Sequence, residues 1–172
     1  MTKACRSLDR FVEAYAEDGG CDEGPMYWNF AAGCLFDSLE MLHEASGGAF
    51  DLFGDRAIHN LGAYIAKVHV HDLRFVNFAD SPPEVPVDGA LLYRFGTRVG
   101  DASMRALGAH LYRLLDRFDP EDTLRLKMYR TLATLAWRRR DAAKSASWFE
   151  WEPTTQRRSP TCRSNRTHFP ER

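Results

Sequence analysis

Twelve residues near the N-terminus join groups capable of acid–base chemistry to a backbone free enough to present them. They read Asp18-Gly19-Gly20-Cys21-Asp22-Glu23-Gly24-Pro25-Met26-Tyr27-Trp28-Asn29. Three glycines and a proline make a tight turn that exposes backbone. On it stand an acid, a phenol and an amide: Glu23, Tyr27 and Asn29. If a helix starts here, its free N–H groups also attract anions. The structural alternative is a capping turn, with Glu23 as an N-terminal acid and Tyr27–Trp28 as core.

A second group is His69-Val70-His71-Asp72. On an extended segment His69 and His71 share a side, as a metal site requires. Two imidazoles and one carboxylate lack a third partner, so no metal site is expected. A helix C-terminus, where histidine suits the negative end of the dipole, is the simpler reading. His43, His59 and His110 fall near apolar stripes and read as surface or satisfied core residues, and Arg138-Arg139-Arg140 as a solvated helix end. Cys5, Cys21, Cys34 and Cys162 show no C-x-x-C spacing, and there is no P-loop, G-x-G-x-x-G or G-x-S-x-G. No cofactor is expected.

The elements that must position these groups are helical. Leu8, Phe11, Val12 and Tyr15 mark one face over residues 7–16, ended by Asp18-Gly19-Gly20. Trp28, Ala31, Ala32, Leu35, Phe36, Leu39 and Leu42 predict a second helix from about Met26 to Ala45, with Pro25 in its first turn. Asp55 can cap a third on Ile58, Leu61, Ile65 and Val68, where Gly62 permits close approach of a neighbour. From His69 to Asp88 the helical period vanishes, and Pro82, Pro83 and Pro86 forbid a helix. A connection of that length favours function or packing beneath it. A short fourth helix is predicted from Asp88 to Val99, a fifth from Asp101 to Arg117, and a sixth from Asp119-Pro120-Glu121 to about Arg140.

The chain has 172 residues, 44% hydrophobic and 27% charged, with a net charge of −1. That is enough apolar material for a core and too little net charge for disorder. No apolar stretch is long enough for a membrane span, and the overall charge gives no warrant for nucleic acid. Residues 1–137 carry 14 basic against 20 acidic side chains; residues 138–172 carry 9 against 4. The expected division is a helical domain over 1–146 and an irregular basic tail over 147–172. The first 17 residues have no apolar h-region, so no signal peptide is read and a cytoplasmic location is expected.

The run Asp18-Gly19-Gly20-x-x-Glu23-Gly24-Pro25-x-Tyr27-Trp28, followed by Leu35-Phe36-x-x-Leu39-Glu40, resembles the heparinase II/III-like family of polysaccharide lyases. Asn77-Phe78-Ala79-Asp80-Ser81 is similar to the loop after that family's next helix pair. The resemblance covers roughly residues 8–118. It implies an all-α fold, an incomplete (α/α) toroid of about six antiparallel amphipathic helices, from proteins that normally continue into a β-sandwich. It also implies β-elimination on uronic-acid residues, which needs a group to neutralise the C6 carboxylate, a base for the C5 proton and an acid for the leaving oxygen.

On that resemblance Glu23 and Tyr27 are the expected catalytic residues, and Trp28, Asn29, His71, Asn77 and Asp80 the expected substrate-binding ones. The implied partner is an acidic polysaccharide or oligosaccharide, with no nucleic acid or membrane and with self-association at the toroid edges. The family's carboxylate neutraliser has no secure counterpart, and no cationic residue lies within Gly19–Asn29. A non-catalytic helical scaffold that binds carbohydrate or a protein is therefore the alternative expectation.

Overall fold

Apolar residues at helical spacing become helices, and the polar breaks between them fix how the helices meet. A computed structural model describes residues 2–115, 130 and 132–137. The chain divides into two units, Met1–Leu135 and Ala136–Arg172, of which the second contributes only 136 and 137 to the described residues. The expected domain boundary at 146/147, the basic tail, Arg138–Arg140 and the predicted start of the sixth helix lie outside them. Residues 130 and 132–137 are helical.

The first unit is mainly helical: α1 (Thr2–Glu13), α2 (Ala31–Ala45), α3 (Arg56–Lys67), α4 (Gly89–Arg98) and α5 (Ala102–Leu115). Asp55 caps α3 by accepting from the N–H groups of Ala57 and Ile58, and Asp88 caps α4 by accepting from Leu91. The core is built from the predicted stripes, with Ala32, Leu35, Phe36 and Leu39 of α2, Ile58, Leu61 and Ile65 of α3, and Met104 and Leu111 of α5 all buried. Phe36 stacks on Phe95 of α4 at 4.6 Å between centroids.

Side-chain pairings give the helix directions. Asn29 meets Asp88, Glu40 meets Arg94 and Glu44 meets Arg98, so α2 and α4 run parallel. Gly89 faces Tyr112 and Gly96 faces Arg105, so α4 and α5 run antiparallel, with backbones too close for a Cβ at either glycine. Gly62 does admit a neighbour: a Cβ there would meet Met104 and Phe95 within 3 Å.

Three elements depart from the prediction. First, α1 ends at Glu13, several residues before the glycines. Second, the predicted helix from Met26 splits into a one-turn 3₁₀ helix, Pro25–Asn29, and α2. The split falls where Trp28 and Asn29 bond to distant backbone instead of continuing the helix. Third, His69–Asp72 is not a helix end. His69–His71 (β1) pairs antiparallel with Arg74–Phe75 (β2), and Asp72 turns between them at φ 47°. The proline-rich strip returns beside this hairpin, as Phe75 N–H donates to Pro83 and Val85 N–H to Leu73. Val85 and Val87 point inward while Pro86 faces solvent, a period of two that explains the lost helical pattern.

Asp101 supplies a stability test. Its carboxylate accepts from the N–H groups of Ser103 and Met104 and lies 3.0 Å from His59 Nε2. Burial raises its pKa, but the Met104 N–H, the His59 ring and the Ser103 N–H outweigh that and hold it below the usual carboxylate range. A lowered folded pKa contributes stability that is present at neutral pH and lost as pH falls through the lowered value. Asp101→Ala is expected to cost about 0.5–2 kcal/mol at pH 7 in chemical denaturation. The difference should shrink towards pH 3, whereas a pH-independent cost would assign the effect to packing.

Candidate functional site

The glycine-rich turn is seated on α3 before it reaches Glu23. Gly19 has φ 77°, and a Cβ there would lie 2.3 Å from the Asn60 carbonyl group. Asn60 Nδ2 donates to Glu17 O and Lys67 Nζ to Asp18 O, so α3 grips the entry to the turn. Trp28 anchors its far end: the indole is 1% exposed and its Nε1–H donates to Leu61 O at 2.9 Å.

The turn and the 77–81 loop come together. Gly24 has φ 92°, and a Cβ there would lie 2.6 Å from Phe78 O and 2.7 Å from Ser81 Cβ. The buried Ser81 accepts from Met26 N–H through Oγ, which satisfies a donor at the start of the 3₁₀ helix. Asn29 clamps the next stretch, donating from Nδ2 to Pro86 O and accepting from Asp88 N–H at Oδ1. The two segments singled out in the sequence thus occupy one end of the helical array.

Individual side chains at this end are differently placed. Glu23 is exposed on the rim of a hollow of ≈ 480 Å³ lined by Tyr15, Gly20, Cys21 and Asp22, among others. Tyr27 is not among its lining residues; its ring packs against the core and lies 6.4 Å from Phe30. Trp28 is core, with no open face for a sugar, and the Asn29 amide is engaged with backbone on both sides. Asn77 and Asp80 are exposed on the loop. His71 lies outward on the hairpin, 3.3 Å from the Asp72 carboxylate.

Tyr15 is the group that helical spacing concealed, since it reads as one more residue of an apolar face. Its hydroxyl pKa is raised by burial, then by the Cys21 thiol beside it and by Glu23 and Asp22. Tyr64 approaches the same thiol; burial, then Cys21 and Asp18, push its hydroxyl up to about 12.

A larger hollow of ≈ 590 Å³ lies between α1 and α2, lined by Leu8, Phe11, Phe30, Leu35, Met41 and Leu42 with few polar atoms. Among the described residues no carboxylate or imidazole lines it, and its lining includes the free Cys34 thiol.

The buried charges were also hidden in the sequence. Asp37 and Glu40 on α2 face Arg94 of α4, with Arg98 and Arg130 at the flanks. Arg94 is 1% exposed, bonds Glu40 and lies over the Phe36 ring. Arg130 donates from Nε to Asp37 and from Nη2 to Asn29 O, passing so close to Gly33 that a Cβ would touch it. Burial raises the pKa of both carboxylates despite these partners.

The chain matches no protein-family model and no curated protein. Among the described residues, no helix is long and apolar enough to cross a membrane.

Proposed function

We propose that the chain is a heparinase II/III-like helical domain, an incomplete (α/α) toroid, whose glycine-rich end faces a uronic-acid-containing polysaccharide. The observation that supports this reading most is the seating of Gly24 against Phe78 and Ser81. It joins the two segments on which the resemblance rests. In this reading the exposed Glu23 holds or orients a sugar hydroxyl, and Asn77 presents an amide towards the C6 carboxylate. The Tyr15 phenol shares the hollow with Glu23 and can hydrogen-bond a sugar hydroxyl there, although its raised pKa makes it a weak acid. Tyr27 stacks or relays from outside that hollow.

A second reading is favoured by one specific observation. Asp22 and Glu23 place two carboxylates on the same rim, which repels a polyanion, and Gly19–Asn29 contains no cation to offset them. A non-catalytic scaffold for carbohydrate or protein fits that charge.

Elimination creates a C4–C5 double bond conjugated to the carboxylate, so turnover appears as rising ultraviolet absorbance with alginate, heparan or chondroitin. Binding without absorbance favours the scaffold; neither binding nor absorbance across the panel removes the polysaccharide reading. Glu23→Gln is expected to change stability by less than about 0.5 kcal/mol, because the group is exposed. It should lower binding or turnover at least ~10-fold, about 1.4 kcal/mol. Tyr27→Phe keeps the ring and tests the hydroxyl alone. Unchanged binding and turnover in both variants would take these residues out of the site.

A further inference from the structure

Phe78 is an exposed aromatic residue at the joint between the glycine-rich turn and the 77–81 loop. It is 40% exposed, as is Met26 on the other side of the joint. Both are held there by backbone. Phe78 O lies 2.6 Å from where a Gly24 Cβ would stand, and Met26 N–H donates to Ser81 Oγ. Phe78 also opens a tight turn: Ser81 N–H donates to its carbonyl at 3.1 Å. Ala79 follows at φ 50°, a left-handed conformation that residues other than glycine rarely adopt. Trp28, by contrast, is buried and has no ring face to offer. Charge at the joint is of one sign. Asp22, Glu23 and Asp80 are exposed, and residues 18–29 and 75–81 contain no Lys, Arg or His. Two basic side chains on the flanking elements are engaged, as Lys67 donates to Asp18 O and Arg74 to Glu84.

We infer that this surface seats an unsulfated uronic-acid oligosaccharide by stacking one sugar ring on Phe78, and that it discriminates against sulfated chains. The inference rests on the polysaccharide reading above and names its ligand class. A pyranose ring presents a face of weakly positive C–H groups, which the negative face of an aromatic ring attracts. That contact needs no counter-charge. An unsulfated uronate carries its single carboxylate at the edge of the ring. It can therefore lie on Phe78 with that carboxylate left in water beside Asn77, which is exposed. Each sulfate would bring a further negative charge towards Asp22, Glu23 and Asp80, with no cation in either segment to offset it. Stacking is also insensitive to salt, whereas a site that holds polyanions through basic side chains weakens as salt screens them.

The test is calorimetric titration of the full chain with an alginate tetrasaccharide and with a sulfated heparan tetrasaccharide, at about 0.05 and 0.5 M NaCl. At low salt the alginate fragment is expected to bind at least ~10-fold more tightly than the heparan fragment. Its affinity should not fall as salt rises. Phe78→Ala should weaken alginate binding at least ~10-fold, and Phe78→Tyr, which keeps the ring, should not. Position 78 is exposed, so both variants keep the fold. Three results would each overturn the inference while leaving the polysaccharide reading standing: tighter heparan binding, an alginate affinity that falls ~10-fold with salt, or alginate binding unchanged in Phe78→Ala. Failure of the unsubstituted chain to bind either fragment would overturn both.

Discussion

An Arg94→Leu variant is expected to lose about 3–5 kcal/mol of stability, the usual result of stranding buried charge. The guanidinium is 1% exposed, bonds Glu40, lies 3.7 Å from Asp37 and covers the Phe36 ring. Leucine replaces some of the packing and none of the charge. Both carboxylates already have raised pKa values because burial disfavours their ionised forms. Losing Arg94 raises them further, so the folded state binds protons more tightly than the unfolded state. Stability then falls as pH rises through those values, and the variant should regain part of its loss on acidification. Combining Arg94→Leu with Glu40→Leu should recover more than either change predicts alone. Denaturant unfolding at two pH values measures all of this. A loss below about 1 kcal/mol, or one that deepens in acid, would mean that the network is solvated.

Gly24→Ala carries the next largest effect. At φ 92° and ψ 176° the backbone occupies a region open essentially to glycine, which costs another residue about 1–3 kcal/mol. The added Cβ also meets Phe78 O and Ser81 Cβ at 2.6 and 2.7 Å, so the loop must move. Together these should cost about 2–4 kcal/mol. Gly47→Ala provides the control, since Gly47 has φ 62° but nothing within 4 Å; its left-handed penalty alone is about 1–2 kcal/mol. If both variants lose the same stability in thermal or denaturant unfolding, Gly24 is not wedged against the loop.

The helices were legible because each buries a stripe that repeats at helical spacing, as Leu35, Phe36 and Leu39 show. What escaped depends on partners far along the chain. Nothing local marks Asp37 and Glu40 as buried, because their counter-charges lie on α4 and at Arg130, 93 residues from Asp37. The break after Asn29 was invisible for the same reason: its amide bonds to Pro86 and Asp88. The hairpin was missed because two short strands carry too few residues to show a period. At the candidate site, turn composition revealed where backbone would be exposed. It did not reveal that Tyr15, rather than Tyr27, would share the hollow with Glu23.

The central claim is that the Gly19–Asn29 turn and the 77–81 loop form one carbohydrate-facing surface. Its most direct test is amide NMR of the full chain titrated with an alginate oligosaccharide. Progressive shifts concentrated at Gly20–Gly24 and Asn77–Ser81, saturating together with one dissociation constant, are the expected result. Shifts confined to the α1–α2 groove, or no shifts at millimolar oligosaccharide, would contradict it.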